Sequence, residues 1–297
     1  MCDMILPVIF FAVSGFSSAD ANCFPENSLR IPTFTETTGV TSGQYEELIR
    51  KVHMEFAPDF KAVNRDLEVI SAWRSAEVQA YASSNGKIDQ VVVNGGMARH
   101  PLMNRDALTL IICHELGHHI GGAPQALFFT GRTVEGQADY FATLKCLRRL
   151  FAHDDNKNFL SDDSVDPYIL KECNSSFELN RDVAICVRSA LASKTVGNVT
   201  AEVQRKKFPR FDTPDQTRVE RLIHGHTGPQ CRLDTYLAGV FCPVQVSLDL
   251  SPLDLDVGAC SRWFGQKRGA RPLCWYDEKL NFTYPYDLKL MSSETKN

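Results

Sequence analysis

The stretch "ICHELGHHIGGAP", Ile112 to Pro124, places three histidines and a glutamate within six positions. An α-helix brings residues four apart onto one face, so His114 and His118 project together, Glu115 lies one step round, and His119 points elsewhere. This is the H-E-x-x-H arrangement, two imidazoles for a zinc ion and a carboxylate beside a metal-bound water. Five residues alone are weak support, and the flanks add to it. Upstream, Asn104 is an expected N-cap, Asp106 falls in the first turn, and Leu108, Ile111 and Ile112 form a core-facing stripe. Downstream, Gly121-Gly122 and Pro124 end the helix.

A catalytic zinc needs a third protein ligand and one position left for water. The pattern with a third histidine at H-x-x-G-x-x-H fails here, because Pro124 stands in that place. The alternative is a glutamate from a following helix, and "TVEGQADYFATLKCLRRL" offers Glu135. Thr133 is an expected N-cap there, and Val134, Ala138, Phe141, Ala142 and Leu144 make the apolar face. Asp139, four residues after Glu135, is placed to orient a ligand imidazole through its free ring nitrogen.

"HELGHH" followed by "EGQADYFA" resembles the gluzincin peptidases typified by the CAAX prenyl protease and the HtpX heat-shock protease, which share H-E-x-x-H with a later E-x-x-x-D. That family also carries a T-H-P-S-like stretch with an arginine six residues after the histidine; "HGHTGPQCRLDTY" sets His226 and Arg232 at that spacing, although Thr227 replaces the proline. The resemblance implies an α+β, mainly helical gluzincin-type zinc peptidase with a small β-sheet packed on the active-site helices. It implies one Zn²⁺ per chain on His114, His118 and Glu135, with Asp139 behind them. Glu115 becomes the general base, and His226 or Arg232 the group that stabilises the oxyanion or plugs the open zinc position. The expected function is zinc-dependent endopeptidase, acting on a peptide or unfolded protein. Two other classes stand beside it: a periplasmic chaperone or quality-control binding protein with a regulatory zinc site, and a disulfide-rich extracellular binding protein with a fortuitous motif.

Before the motif, Leu67–Trp73, Val78–Ala82 and Ile88–Val93 read as strands, with Ser84-Asn85-Gly86 as a hairpin turn and Gly95-Gly96 ending the last strand. In the family it resembles, such a strand is the sheet edge on which a peptide pairs by main-chain hydrogen bonds. Small residues there suit a close substrate backbone or, equally, an ordinary strand end. Residues 43–57 read as an amphipathic helix, with His53 on its surface.

The beginning of the chain carries an apolar run from Ile5 to Val13 and an Ala19-Asp20-Ala21 site, expected to be a signal peptide over residues 1–21 cleaved after Ala21. A peptidase domain over 22–245 and a cysteine-containing extension over 246–297 follow. Loss of Asp3 and Asp20 takes the formal charge from −4 to −2, which with no basic run argues against nucleic acid as a partner. No later apolar run is long enough to span a membrane, so a periplasmic or secreted protein is expected. Ten cysteines without a C-x-x-C fit an oxidising compartment. Without Cys2 the count is nine, so at least one thiol is unpaired within the chain. The short-loop pairs are Cys173–Cys186, Cys231–Cys242 and Cys260–Cys274, with Cys113 read as a small core residue. "DDNKNFLSDD" from Asp154 has calcium-like spacing at first, but Phe159 replaces the turn glycine and Val165 the bidentate glutamate, so it reads as a solvated loop. The sequons at Asn174, Asn198 and Asn281 matter only in a eukaryotic secretory pathway.

Overall fold

The structure, a computed structural model, describes residues 21–35, 39–126, 132–161 and 165–279. The apolar leader run, Ala19-Asp20 and the sequon at Asn281 lie outside them. The architecture is α+β, a cluster of helices beside a four-stranded sheet.

A two-residue strand β1 (Ala21–Asn22) precedes helix α1 (Ser42–Ala62), which is entered through a reciprocal cap between Thr41 and Gln44. Strands β2 (Asp66–Ala72), β3 (Ala80–Ser84) and β4 (Ile88–Asn94) follow close to their expected places. Asn85 closes the β3–β4 turn, its side chain accepting from the Lys87 and Ile88 amides, while Gly86 takes a φ of 90°. The sheet order is β1-β3-β4-β2, with β2 and β4 parallel and the other pairs antiparallel.

This order corrects the expectation that Ile88–Val93 is the edge. Seven residues of β2 pair in parallel along the far side of β4, so β4 is internal, and the other side of β3 pairs with β1. Gly95-Gly96 open a short helix α2 (Gly95–Ala98) rather than make room for a substrate. A Cβ on either would fall 2.0 Å from a carbonyl oxygen, that of Trp73 or of Ala76, so the backbone they admit is the chain's own.

Helix α3 (Arg105–Ile120) carries the motif. Asn104 caps it, accepting from the Ala107 amide at 2.9 Å, and Arg188 pairs with Asp106 at 2.6 Å. His119 turns to the sheet, with Nδ1 3.1 Å from Asp89 and Nε2 3.2 Å from the Gln90 carbonyl, and so ties α3 to β4. After the short strands β5 (Gln125–Ala126) and β6 (Arg132–Thr133), α4 (Glu135–Phe141) runs through a π-helical turn (Ala142–Cys146) into α5 (Leu147–Phe151). The N-cap of α4 is Val134, not Thr133. The Thr133 hydroxyl is instead committed to the Gly122 carbonyl at 2.9 Å, bonding β6 to the end of α3.

The remaining helices are α6 (Asn158–Ser161), α7 (Pro167–Ser176), α8 (Asn180–Val203) and α9 (Pro229–Phe241). The acidic stretch before α6 is neutralised by cations, Asp154 meeting Lys51 at 2.7 Å and Arg188 at 2.9 Å. Among the described residues no helix is long and apolar enough to cross a membrane.

Four disulfides join Cys113–Cys146, Cys173–Cys186, Cys231–Cys274 and Cys242–Cys260. Of the expected pairs only Cys173–Cys186 occurs. Cys231 and Cys242 sit at opposite ends of α9, too far apart along a rigid helix to bond, so each takes a partner from the C-terminal segment. Cys113 is buried as expected but not as a free thiol, since it staples α3 to the π-helical turn. The single described free cysteine is Cys23, buried. Through residue 279 the C-terminal segment packs on the helices: Cys274 and Trp275 share an apolar cluster with Val134 and Cys231. Buried Arg271 donates to the Gln137 side chain at 2.6 Å.

Candidate metal centre

Gly117 sets the distance between the motif helix and the next one. A Cβ there would meet the Cα of Ala138 at 2.8 Å and its carbonyl oxygen at 2.9 Å, so α3 and α4 pack too closely to admit a side chain at position 117. The close crossing delivers Glu135 to the histidine face. His114 Nε2 and His118 Nε2 lie 3.2 Å apart, and the Glu135 carboxylate oxygens lie 3.4 Å from the first and 3.5 Å from the second. Tetrahedral ligands on bonds of zinc length stand about 3.3 Å from one another. The three side chains therefore meet the spacing of a metal site by themselves.

The far sides of the imidazoles are fixed. His118 Nδ1 donates to the Thr133 carbonyl at 2.9 Å, since a carbonyl only accepts, which leaves the Nε2 lone pair directed at the cluster. His114 Nδ1 meets Asp139 at 2.7 Å. Asp139 also accepts from Arg232 Nε and Nη2, at 3.2 and 3.0 Å. Arg232 continues to the Cys23 carbonyl at 2.6 Å and the Tyr236 hydroxyl at 3.0 Å. The sequence pattern left Arg232 open to an oxyanion role. Its guanidinium lies on the Nδ1 side of His114, away from the Nε2 that faces Glu135, and it acts there as the clamp on Asp139. Tyr236, one helical turn after Arg232, belongs to the same network; its i, i+4 spacing was the available signal.

His226 does reach the cluster, with Nε2 3.4 Å from Glu135 Oε2 and 2.7 Å from the Asn22 carbonyl oxygen. His224 contributes its backbone, accepting from the Glu135 amide at 3.3 Å.

Burial and charge pull the titrating groups apart. Burial pushes the Glu115 carboxyl up to about 8, only partly countered by the His114 charge. Both Glu115 oxygens are buried without a hydrogen bond. Burial likewise holds His118 down at about 4. For His114 burial acts downward but Asp139 outweighs it, raising the imidazole to about 9. Burial would raise Glu135 and Asp139 too; His118 and His114 bring the first to about 2, and Arg232 with His114 the second to about 2.

A second group of possible ligand atoms, Asp215, Cys231 and Cys274, is no metal site, because its two sulfurs are bonded to each other.

Gly117→Ala tests the crossing. Forcing a methyl into this contact should cost about 1–3 kcal/mol and move Glu135 off the histidines. A lowered Tm together with zinc affinity weakened about tenfold is expected in titration calorimetry, and unchanged affinity would show that the contact does not set the site.

No protein-family model matches the chain, and no curated protein or solved structure does, so the reading of this centre stands on its own geometry and chemistry.

Proposed function

We propose that the chain is a zinc-dependent endopeptidase of the gluzincin kind, hydrolysing peptide bonds in extended or unfolded polypeptide. The observation that carries this reading is the convergence of His114, His118 and Glu135 at 3.2–3.5 Å, with an unpartnered buried carboxylate, Glu115, beside them. The donor set suits zinc: two imidazole nitrogens and a carboxylate would fill three of its four usual positions. Glu135 Oε2, buried without a hydrogen bond, is the kind of orphaned acceptor that a cation satisfies.

When bound, zinc supplies a Lewis acid that polarises a carbonyl and makes water a stronger acid. Glu115 is the base that takes the proton from the attacking water and passes it to the departing amine. Asp139 and Arg232 hold the His114 ring in place. His226 Nε2 already binds a peptide carbonyl oxygen, which suits it to bind the scissile one as charge develops there. A site kept only for structure would be closed by four protein ligands and would have no use for a free buried base.

Metal content and hydrolysis test this together. The purified chain should hold about one zinc, and His114→Ala or Glu135→Ala should lose most of it, since two protein donors remain. Casein cleavage should stop with a chelator and return with zinc. Full zinc and full cleavage in Glu135→Ala would overturn the assignment.

A further inference from the structure

The edge of the sheet beside the metal centre is already occupied. β1 pairs antiparallel with β3, Ala21 opposite Ala82 and Asn22 opposite Tyr81, and the Cys23 amide donates to the Ala80 carbonyl at 2.9 Å. An extended peptide that adds itself to a sheet edge makes this kind of pairing. The arm also reaches the chemistry. The Asn22 carbonyl oxygen lies 2.7 Å from His226 Nε2, and that nitrogen is 3.4 Å from Glu135 Oε2. One residue on, the Cys23 sulfur is within 4.8 Å of donor atoms of both His114 and Glu115.

The arm has a firm root. The Cys23 carbonyl is bound by Arg232, and the Phe24 amide donates to the Gln79 side chain at 2.9 Å. Phe24 is fully buried under the Arg232 guanidinium. Among the described residues β1 holds Ala21 and Asn22, and Asn22 is exposed. A polypeptide forming main-chain bonds along all of β3 competes with the pairing at Ala21 and Asn22.

We propose that the strand at Asn22, paired with Tyr81 and continued by the Cys23 amide, is an autoinhibitory arm: a built-in peptide that lies along β3 with its Asn22 carbonyl on His226, a contact that cleavage after Ala21 leaves in place, and that substrate must displace. The inference rests on the peptidase reading for the identity of the competitor, an extended polypeptide, but its test does not need hydrolysis.

The test locks the arm. In a full-length Glu115→Gln background, Asn22→Cys and Tyr81→Cys are combined to form a cross-strand disulfide, mapped by mass spectrometry, and each single variant serves as a control. Binding of fluorescein-labelled, reduced and carboxymethylated α-lactalbumin is followed by anisotropy. The locked chain should bind at least about tenfold more weakly than either single variant. A loosened arm, Asn22→Gly, should bind more tightly and show faster amide exchange in peptides covering residues 79–84. Failure of the cross-link to form, or equal binding by locked, loosened and single variants, overturns the arm. Zinc-independent binding that follows the arm while the chain with Glu115 intact cleaves nothing would keep the arm and overturn the peptidase reading.

Discussion

Glu115→Gln should abolish hydrolysis while leaving the protein folded and its zinc in place. Both carboxyl oxygens of Glu115 are buried and make no hydrogen bond, so an isosteric amide breaks none. Loss of the base should lower kcat by about 10²–10⁴-fold. The metal-stripped chain gives a second readout with a definite sign. Burial raises the folded-state pKa of Glu115 from 4.5 to about 8, so ionising it disfavours the folded state. That penalty is absent below the unfolded pKa, grows as pH rises between the two values, and is complete above the folded one. The glutamine variant never pays it. Its Tm should match the wild type at pH 4 and exceed it at pH 8, as thermal unfolding in a chelator would show. Equal casein cleavage by variant and wild type would dispose of the catalytic role, and a lower variant Tm at pH 8 would show that Glu115 is not held in an apolar setting.

The helices that carry the centre are legible in the sequence because their signals are local. Asn104, Asp106 and the 3.6-residue spacing of His114 and His118 all act within one helix, and the structure places them as expected. The convergence of Glu135 on the histidines is also readable, since a motif spacing encodes it, although the physical cause, Gly117 against Ala138, is visible only when the two helices are packed. Features that depend on which distant segments meet are not readable in the same way. Nothing in a hydrophobic pattern says that β2 closes the far side of β4, or that a cysteine at each end of α9 bonds to the C-terminal segment. Nearest-neighbour pairing of Cys231 with Cys242 ignores the rigidity of the helix between them. The expected loss of Cys2 leaves nine cysteines and so points to an unpaired thiol, but the position of Cys23 beside the metal centre follows from its contact with Arg232, 209 residues away in sequence.

Arg232→Met should unfold the site from behind. Arg232 is 2% exposed, and its guanidinium serves Asp139, Tyr236 and the Cys23 carbonyl together. Removing it leaves the Asp139 carboxylate buried beside His114 with half its counter-charge gone. Breaking a buried pair from one side costs about 3–5 kcal/mol, because the remaining charge has no solvent to return to. The Cys23 carbonyl and the ring of Phe24 lose their partner as well. Unfolding in urea should show that loss, and amide exchange should rise over residues 21–24. Arg232→Lys should rescue little, because a single ammonium cannot span the three acceptors that the planar fork reaches. Adding Asp139→Asn to Arg232→Met separates charge from packing. If the stranded carboxylate causes the loss, the double variant regains part of the stability, whereas lost packing alone predicts additive damage. A simple oxyanion-binding arginine would behave otherwise: Arg232→Met would then keep its stability and zinc and lose only kcat.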